Sequence, residues 1–500
     1  MEKIAAVLLD ITGIQRYVFG SNRLKENLGA SFMIENVYDG FLREVAQSLF
    51  GDRKELDRWQ DEPARLYITD SSIEMEVGYI GGGNALLFFR NQDMAKQFVQ
   101  EWSKNLLLKA PGLSTAVAIE EMEDPNEKVA ALFKELNKNK FLHHPQVTLP
   151  RHGITTECSL TGFSAECESE LDKQEKHISS VSASKLNCEE SAHEMFHNLF
   201  RDVLKGYEFP KELEKLGQSK GESHIAIVHI DGNGMGKRFM ACSTIEQLRG
   251  LSVSLRNATK KAMSSLLQQI ITGYNYYQEN FNLKPNTLPI RPIILGGDDV
   301  TFVADARLGV YFAEEFINAF AKQPLSNLSA CAGVAITKTK YPFYRGHELA
   351  EDLCRSAKQK AKDGQDESWL DFHIAYGGFS GEISEIRQRH YTIKAGDLCY
   401  RPYRILPEKS DDHSFSELKK GMKKLSKWPR NKQKELREVL TLGENATQQF
   451  ITEMKNRDNT LPDIQQYPGF KDKAWEGKKT PYFDMLELME FYPLDKEEGK

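Results

Sequence analysis

Five hundred residues are enough for about three domains of ordinary size, each able to bury a core without help from a disulfide or metal. A formal charge of −6, from 66 basic and 72 acidic side chains, with seven scattered cysteines, excludes disulfide scaffolds, fibrous repeats and disordered chains. No apolar run nears the roughly 18 residues of a membrane span and no secretory leader is visible, so a cytoplasmic protein without a membrane partner is expected. The mild acidity names no partner and leaves room for a local basic patch.

The first element is an apolar run at 4–10, Ile-Ala-Ala-Val-Leu-Leu-Asp. It returns at 225–231 as Ile-Ala-Ile-Val-His-Ile-Asp, with four identities in seven and an aspartate closing both, at an offset of 221 residues. Helical sequence follows each run after a glycine-containing turn. Next come apolar runs flanking Gly81, Gly82 and Gly83, which predict a hairpin; 215 residues later the same pattern surrounds Gly296 and Gly297. Helical segments at 93–107 and 306–321 then lead into last strands at 113–119 and 328–334. Three blocks repeated in one order give two copies of β-α-β-β-α-β, the ferredoxin-like plan. The fold class expected is α+β. Ferredoxin-like domains span 1–140 and 221–375, a linker and helical insertion spans 141–220, and a helical domain spans 376–500. In the linker, Pro145, Pro150, Gly153, Gly162 and a Ser/Glu/Lys-rich tract predict loop, then a helix near 189–204. Beyond 376 no strong strand pattern stands out, and helices are expected at 416–427, 431–440, 446–456 and 482–491.

In a ferredoxin-like sheet the first strand lies beside the central hairpin, so Asp231 and the pair Asp298 and Asp299 are expected at one sheet edge. Clustered carboxylates raise one another's pKa and are most at ease around divalent cations. Hard oxygen ligands suit Mg²⁺ or Mn²⁺, and two such ions would serve a phosphoryl displacement. Asp231 and Asp298 are the expected main ligands; Asp299 is a further ligand or holds a neighbouring backbone or basic group. The plainer alternative is a helix cap at Asp231 and an Asp-rich turn at 298–299. The loop Gly232, Asn233, Gly234, Met235, Gly236, Lys237 would let backbone N–H groups approach a polyphosphate, although it is neither a Walker A loop nor G-x-G-x-x-G. On a predicted helix at 347–362, Lys358 lies off the apolar stripe of Leu349, Leu353, Ala357 and Ala361, where it reaches a triphosphate or is simply solvated. The first copy keeps Asp10 but carries Gly83 and Asn84 where the second has Asp298 and Asp299. Its glycine hairpin, Gly82 and Gly83, either accepts a nucleotide or is structural.

Gly-Gly-Asp-Asp at 296–299 behind a strand ending in Asp231, a first copy beginning Leu9-Asp-Ile-Thr-Gly-Ile-Gln15, and the phrases Gly29-Ala-Ser31, Ala357-Lys358 and Arg401-Pro-Tyr403 together resemble a known family. It is the two-palm, polymerase-like large subunit of type III CRISPR complexes, and the likeness runs through about residue 405. The resemblance implies palm domains and the joining of ATP molecules 3′ to 5′ into cyclic oligonucleotides, with pyrophosphate released, in antiviral defence. It makes Asp231, Asp298 and Asp299 catalytic, and adds the Gly232 carbonyl to them as a ligand of two Mg²⁺ or Mn²⁺ ions. Nucleotide contacts fall to Gly232, Asn233, Gly234, Gly236, Lys237, Gly296, Gly297 and Lys358, with Gly82 and Gly83 in the first palm. Implied partners are ATP or another NTP, subunits or RNA of a guide complex, and an effector activated by the product; homo-oligomerisation stays open.

Two departures stand out. The chain begins directly with the first palm, so the histidine-aspartate nuclease common in the family, and its DNA cleavage, are not expected. Between the palms only Cys158, Cys167 and Cys188 with His177 are present, at spacings unlike a standard site, so zinc is not expected. At 419–437, nine basic residues (Lys419, Lys420, Lys423, Lys424, Lys427, Arg430, Lys432, Lys434 and Arg437) face one acid, Glu435, around Trp428. The segment contacts RNA or an acidic subunit, or is a solvated helical face. The competing readings are a non-catalytic scaffold subunit with a vestigial palm and a template-directed polymerase, whose basic groove a charge of −6 does not advertise.

Overall fold

The computed structural model describes residues 3–51, 54–125, 129–142, 153–171, 173–212, 216, 223–361, 366–377, 381–408, 413–462, 470 and 473–495. The chain forms two compact units. One comprises Met1–Asp202, Gly234–Lys260 and Ile293–Asp299; the other comprises Val203–Asn233, Lys261–Pro292 and Val300–Lys500. No helix among the described residues is long and apolar enough to cross a membrane.

In the first unit, β1 (Ile4–Thr12), β2 (Met75–Gly81), β3 (Asn84–Phe89) and β4 (Ser114–Met122) form a sheet in the order β2-β3-β1-β4, the ferredoxin-like order. Burial follows position in the sheet. Central β1 is a nearly unbroken buried run, whereas edge strand β4 alternates buried and half-exposed residues, as a strand covered on one face should. The helix Leu24–Val37 crosses the helix Ser180–Asn187 at Gly29, where any Cβ would lie 1.8 Å from the Lys185 carbonyl oxygen. Only glycine fits there, which gives Gly29-Ala-Ser31 a packing reason. Fully buried Arg249, from the helix Ile245–Thr272, donates to the Gly78 and Arg65 carbonyls at 2.6 Å and pairs with Glu76 at 2.8 Å, fixing β2.

The linker differs from the loop expected. Its charged tract forms a hairpin, β5 (Cys167–Leu171) against β6 (Gln174–Ile178). β5 carries Glu168 and Glu170 around Ser169, and β6 runs Gln174, Glu175, Lys176, His177, with apolar residues only at the strand ends, so the period of two carries no hydrophobic contrast and reads as loop. Helices Ser180–Asn187, Glu189–Leu199 and Arg201–Leu204 follow. Pro145 and Pro150 lie outside the described residues.

The sheet of the second copy runs β14-β11-β10-β7-β9-β8, with β7 (His224–Gly232), β8 (Ile290–Gly296), β9 (Asp299–Asp305) and β10 (Ala330–Lys338) in the order of the first copy. It is extended by β11 (Ser368–Ile374), parallel to β10, and by β14 (Tyr403–Leu406), antiparallel to β11; β12 (Thr392–Ile393) and β13 (Gly396–Asp397) form a two-residue ladder. β14 falls where no strand was expected, because four residues are too few to show a period. Asp484 holds it by accepting from the Tyr400 and Arg401 amides and the Tyr403 hydroxyl, which is the structural content of Arg401-Pro-Tyr403. The chain then turns helical as expected, at Phe415–Leu425, Arg430–Thr441, Glu444–Lys455 and Tyr482–Leu488. The fold is α+β, with two ferredoxin-like palms and a helical C-terminal region.

Candidate functional site

Asp231 is the penultimate residue of β7, beside Gly232 at its end. The helix Phe343–Lys360 packs on β10, where Gly333 lets it approach so closely that a Cβ would sit 2.0 Å from the Ala350 carbonyl oxygen. Cys354 and Ala357 pack against Cys331 and Trp369 on that face. This contact aims Lys358, off the apolar stripe, at the end of β7. Its Nζ donates to Asp231 Oδ2 at 2.6 Å and to the Gly232 carbonyl at 3.1 Å. Burial pulls the Lys358 pKa down, but the charge and hydrogen bond of Asp231 outweigh it and hold it above the ordinary lysine value. Two residues earlier, buried His229 is 3.2 Å from the Thr301 hydroxyl of β9, and burial pushes its pKa down to about 4 against the pull of Asp231. Asn233 is engaged structurally: its side chain donates to Ser329 Oγ at 3.1 Å and to the Glu367 carbonyl at 2.8 Å.

Gly296 ends β8, Gly297 turns at φ +64°, and Asp299 begins β9. The Thr259 hydroxyl donates to the Gly297 carbonyl, and Gln15 Nε2 donates to Asp299 Oδ2 at 2.8 Å. Gly82 and Gly83, at φ +59° and +80°, turn the matching hairpin of the first palm. Gly82, Gly83, Gly296, Gly297, Asp298 and Asp299 line one cavity of about 1060 Å³, which Gln15 also lines. That volume slightly exceeds the usual range of small-ligand sites, about 300–1,000 Å³. All its lining residues belong to the first unit, as do Gly234, Gly236 and Lys237, which do not line it; Asp231, Gly232, Asn233 and Lys358 belong to the second. Gly234, at φ +68°, precedes the helix Met235–Met240 as Gly13, at φ +67°, precedes Ile14–Phe19. Among the described residues no group of three or more His, Cys, Asp or Glu side chains is placed to hold a metal ion.

The first palm carries a pair that sequence reading missed. Buried Asp10 accepts from Asn84 Nδ2 at 3.0 Å and pairs with Lys140 at 2.8 Å. Lys140 sits on the helix after β4 as Lys358 sits on the helix after β10. The 218 residues separating the two lysines fall between the repeat offsets of 215 and 221, so the internal repeat held the signal. Gln15, quoted only as part of a motif, is the other residue missed.

Elsewhere, burial raises the Cys158 thiol, but the Thr161 hydroxyl and the amides of Leu160, Ser179 and Thr161 outweigh it and hold it below the usual thiol value. Part of the basic charge at 419–437 is matched within the chain: Lys419 pairs with Glu314, Lys420 with Glu417, Lys432 with Glu435 and Arg437 with Glu487. Trp428 is buried.

Residues 224–366 match the family model described as Cas10/Cmr2, second palm domain. The fold is similar to that of a Csm1–Csm4 cassette in complex with cA4, at 13% identity and a TM-score of 0.52, covering 98% of this chain and 70% of that one. It is similar as well to a Csm1–Csm4 cassette in complex with one ATP (12% identity, TM-score 0.51, 98% and 70% covered) and to Csm1 in T. onnurineus (14% identity, TM-score 0.51, 98% and 70% covered). At these identities the likeness shows the fold. No curated protein matches the chain in sequence.

Proposed function

We propose that this chain, which belongs by its second palm to the type III CRISPR large-subunit family, is a metal-dependent nucleotidyltransferase. In this reading it joins NTPs, ATP foremost, into a cyclic 3′–5′ oligonucleotide and releases pyrophosphate. The observation that carries the reading is the convergence of Asp231 Oδ2 and the Gly232 carbonyl on one cation, the Lys358 ammonium. A carboxylate and a carbonyl that already share a cation are a donor set suited to Mg²⁺ or Mn²⁺. Asp298 and Asp299, which line the cavity at the Gly296 and Gly297 turn, would supply further carboxylates toward the nucleotide.

Two divalent ions, when bound, would neutralise charge on the attacking ribose 3′-hydroxyl and on the leaving pyrophosphate. The remaining work falls to the chain. Lys358 would turn from Asp231 to a phosphate oxygen, keeping its charge and changing only its acceptor. Gly296 and Gly297, without side chains, let backbone lie close to the nucleotide, and the cavity at the hairpin tips has the volume to hold one. Rate acceleration would come from positioning and electrostatics. The adenine-bearing ligands of the similar cassettes, ATP and cA4, support adenine nucleotides as substrate and product. Partners in this reading are subunits and RNA of a guide complex and an effector protein that responds to the product.

Incubating the protein with each NTP and Mg²⁺ or Mn²⁺, with and without RNA, and identifying products by mass spectrometry tests this. Cyclic products that vanish in an Asp298→Ala/Asp299→Ala variant are expected. No turnover under any condition, with stable RNA binding, would instead establish the scaffold.

A further inference from the structure

We infer that Gln15 of the first palm reads a ribose hydroxyl of the nucleotide held at the Gly296 to Asp299 hairpin, an inference that rests on the nucleotide reading above. Gln15 is the second residue of the helix Ile14–Phe19 and lines the same cavity as Asp298 and Asp299. Its Nε2 donates to Asp299 Oδ2 at 2.8 Å. An ionised carboxylate only accepts, so the nitrogen of the amide must face it, and the orientation of the group is settled. The amide oxygen, Oε1, is thereby turned away from Asp299, where it is buried with no hydrogen-bond partner. A buried acceptor left without a donor destabilises the fold. Methionine would fill the same volume without that cost, so the oxygen points to a donor that a ligand brings.

A nucleoside triphosphate offers few such donors. Its phosphate oxygens only accept at neutral pH, which leaves the sugar hydroxyls and the base N–H groups. Asp299 belongs to the carboxylates that would hold the metal-bound phosphates. The donors covalently nearest to those phosphates are the ribose hydroxyls, whereas a base N–H lies on the far side of the sugar. Gln15 would therefore tie recognition of the sugar to the carboxylate that carries the metal, with one amide engaged at both ends. Removing the hydroxyl from the ligand, or the amide oxygen from the protein, breaks the same bond.

Equilibrium binding in Ca²⁺, read by calorimetry and needing no turnover, tests this with ATP, 2′-deoxy-ATP, 3′-deoxy-ATP and ITP. The wild-type chain is expected to bind ATP about tenfold more tightly than one of the deoxynucleotides, the worth of one buried hydrogen bond. Gln15→Met should bind those two nucleotides within twofold of each other and keep the wild-type ratio of ATP to ITP; Gln15→Ala serves if the methionine variant does not fold. Equal wild-type affinity for ATP and both deoxynucleotides would overturn the inference while leaving the nucleotide reading intact. So would a Gln15 variant that keeps its sugar discrimination but loses the preference for ATP over ITP, which would assign Oε1 to the base. No binding of any nucleotide would remove the reading and the inference together.

Discussion

The two palms share a plan down to a single ion pair and part company over one hairpin. In the first, Asp10 is 7% exposed and matched on both sides, by Lys140 at 2.8 Å and by Asn84 at 3.0 Å. In the second, Asp231 is 37% exposed and held by Lys358, and the hairpin carries Asp298 and Asp299 where the first has Gly83 and Asn84. A buried carboxylate with a cation and an amide for partners is neutralised in place and serves the fold. An open one, held by a lysine alone, is suited to bind and release charge. On the proposed reading, one aspartate at the end of one strand takes two roles, and its surroundings decide which.

The comparison can be broken or sharpened by experiment. Beyond the aspartates themselves, the largest effect is expected at Lys358. Lys358→Met should lower product formation about a hundredfold, as removal of one electrostatic contact to the transition state does. It should also tighten Mn²⁺ binding severalfold, since the ammonium no longer competes for Asp231 and Gly232; titration of free Mn²⁺ by electron paramagnetic resonance reads the second effect. Weaker Mn²⁺ binding in that variant would sink the idea that lysine and metal share the position. Next, Gly29→Ala places a Cβ against the Lys185 carbonyl and should destabilise the first unit by about 3 kcal/mol, measured by denaturant unfolding.

Acid should weaken the second unit. His347 and His373 are buried, and burial holds both well below the ordinary histidine pKa, helped by His229 in one case and by Arg401, Arg387 and His390 in the other. Above pH 6.5 both are neutral whether folded or not, and this part of the stability is fully present. As pH falls below 6.5 the unfolded chain takes up protons that the folded one does not, so stability drops by about 1.4 kcal/mol per pH unit for each histidine. Hydrogen exchange between pH 7 and 5 should show it, with a shallower slope in His373→Gln. The last effect, expected on stability alone, is at Lys140: Lys140→Met leaves the buried Asp10 carboxylate without its cation and should cost about 2–3 kcal/mol in thermal unfolding, less than for a wholly buried pair because Lys140 is partly exposed, and leave product formation unchanged.

Much of this was legible in the sequence because the repeat is. Two apolar runs closed by aspartate, two glycine hairpins and two final strands give the sheet order without knowledge of any contact. The candidate site was legible where a short motif marks it, as at 296–299, whose residues line one cavity. Lys140 escaped because a lysine on an amphipathic helix looks like any solvated lysine until its twin, Lys358, shows where the helix aims it. Gln15 escaped because an amide has no charge to stand out, and its role depends on Asp299, 284 residues away. The β5 and β6 hairpin and β14 escaped for want of hydrophobic contrast and of length.

The central claim is that the open aspartate does the chemistry and the buried one does not. Pyrophosphate released from ATP and Mn²⁺ by Asp231→Asn and Asp10→Asn variants, each first shown to be folded by its melting curve, tests it most directly. The account predicts a loss of about 10³-fold in Asp231→Asn, at the upper end of what removal of one electrostatic group costs, and less than tenfold in Asp10→Asn. Release that survives in Asp231→Asn, or that is abolished in a folded Asp10→Asn protein, would contradict it.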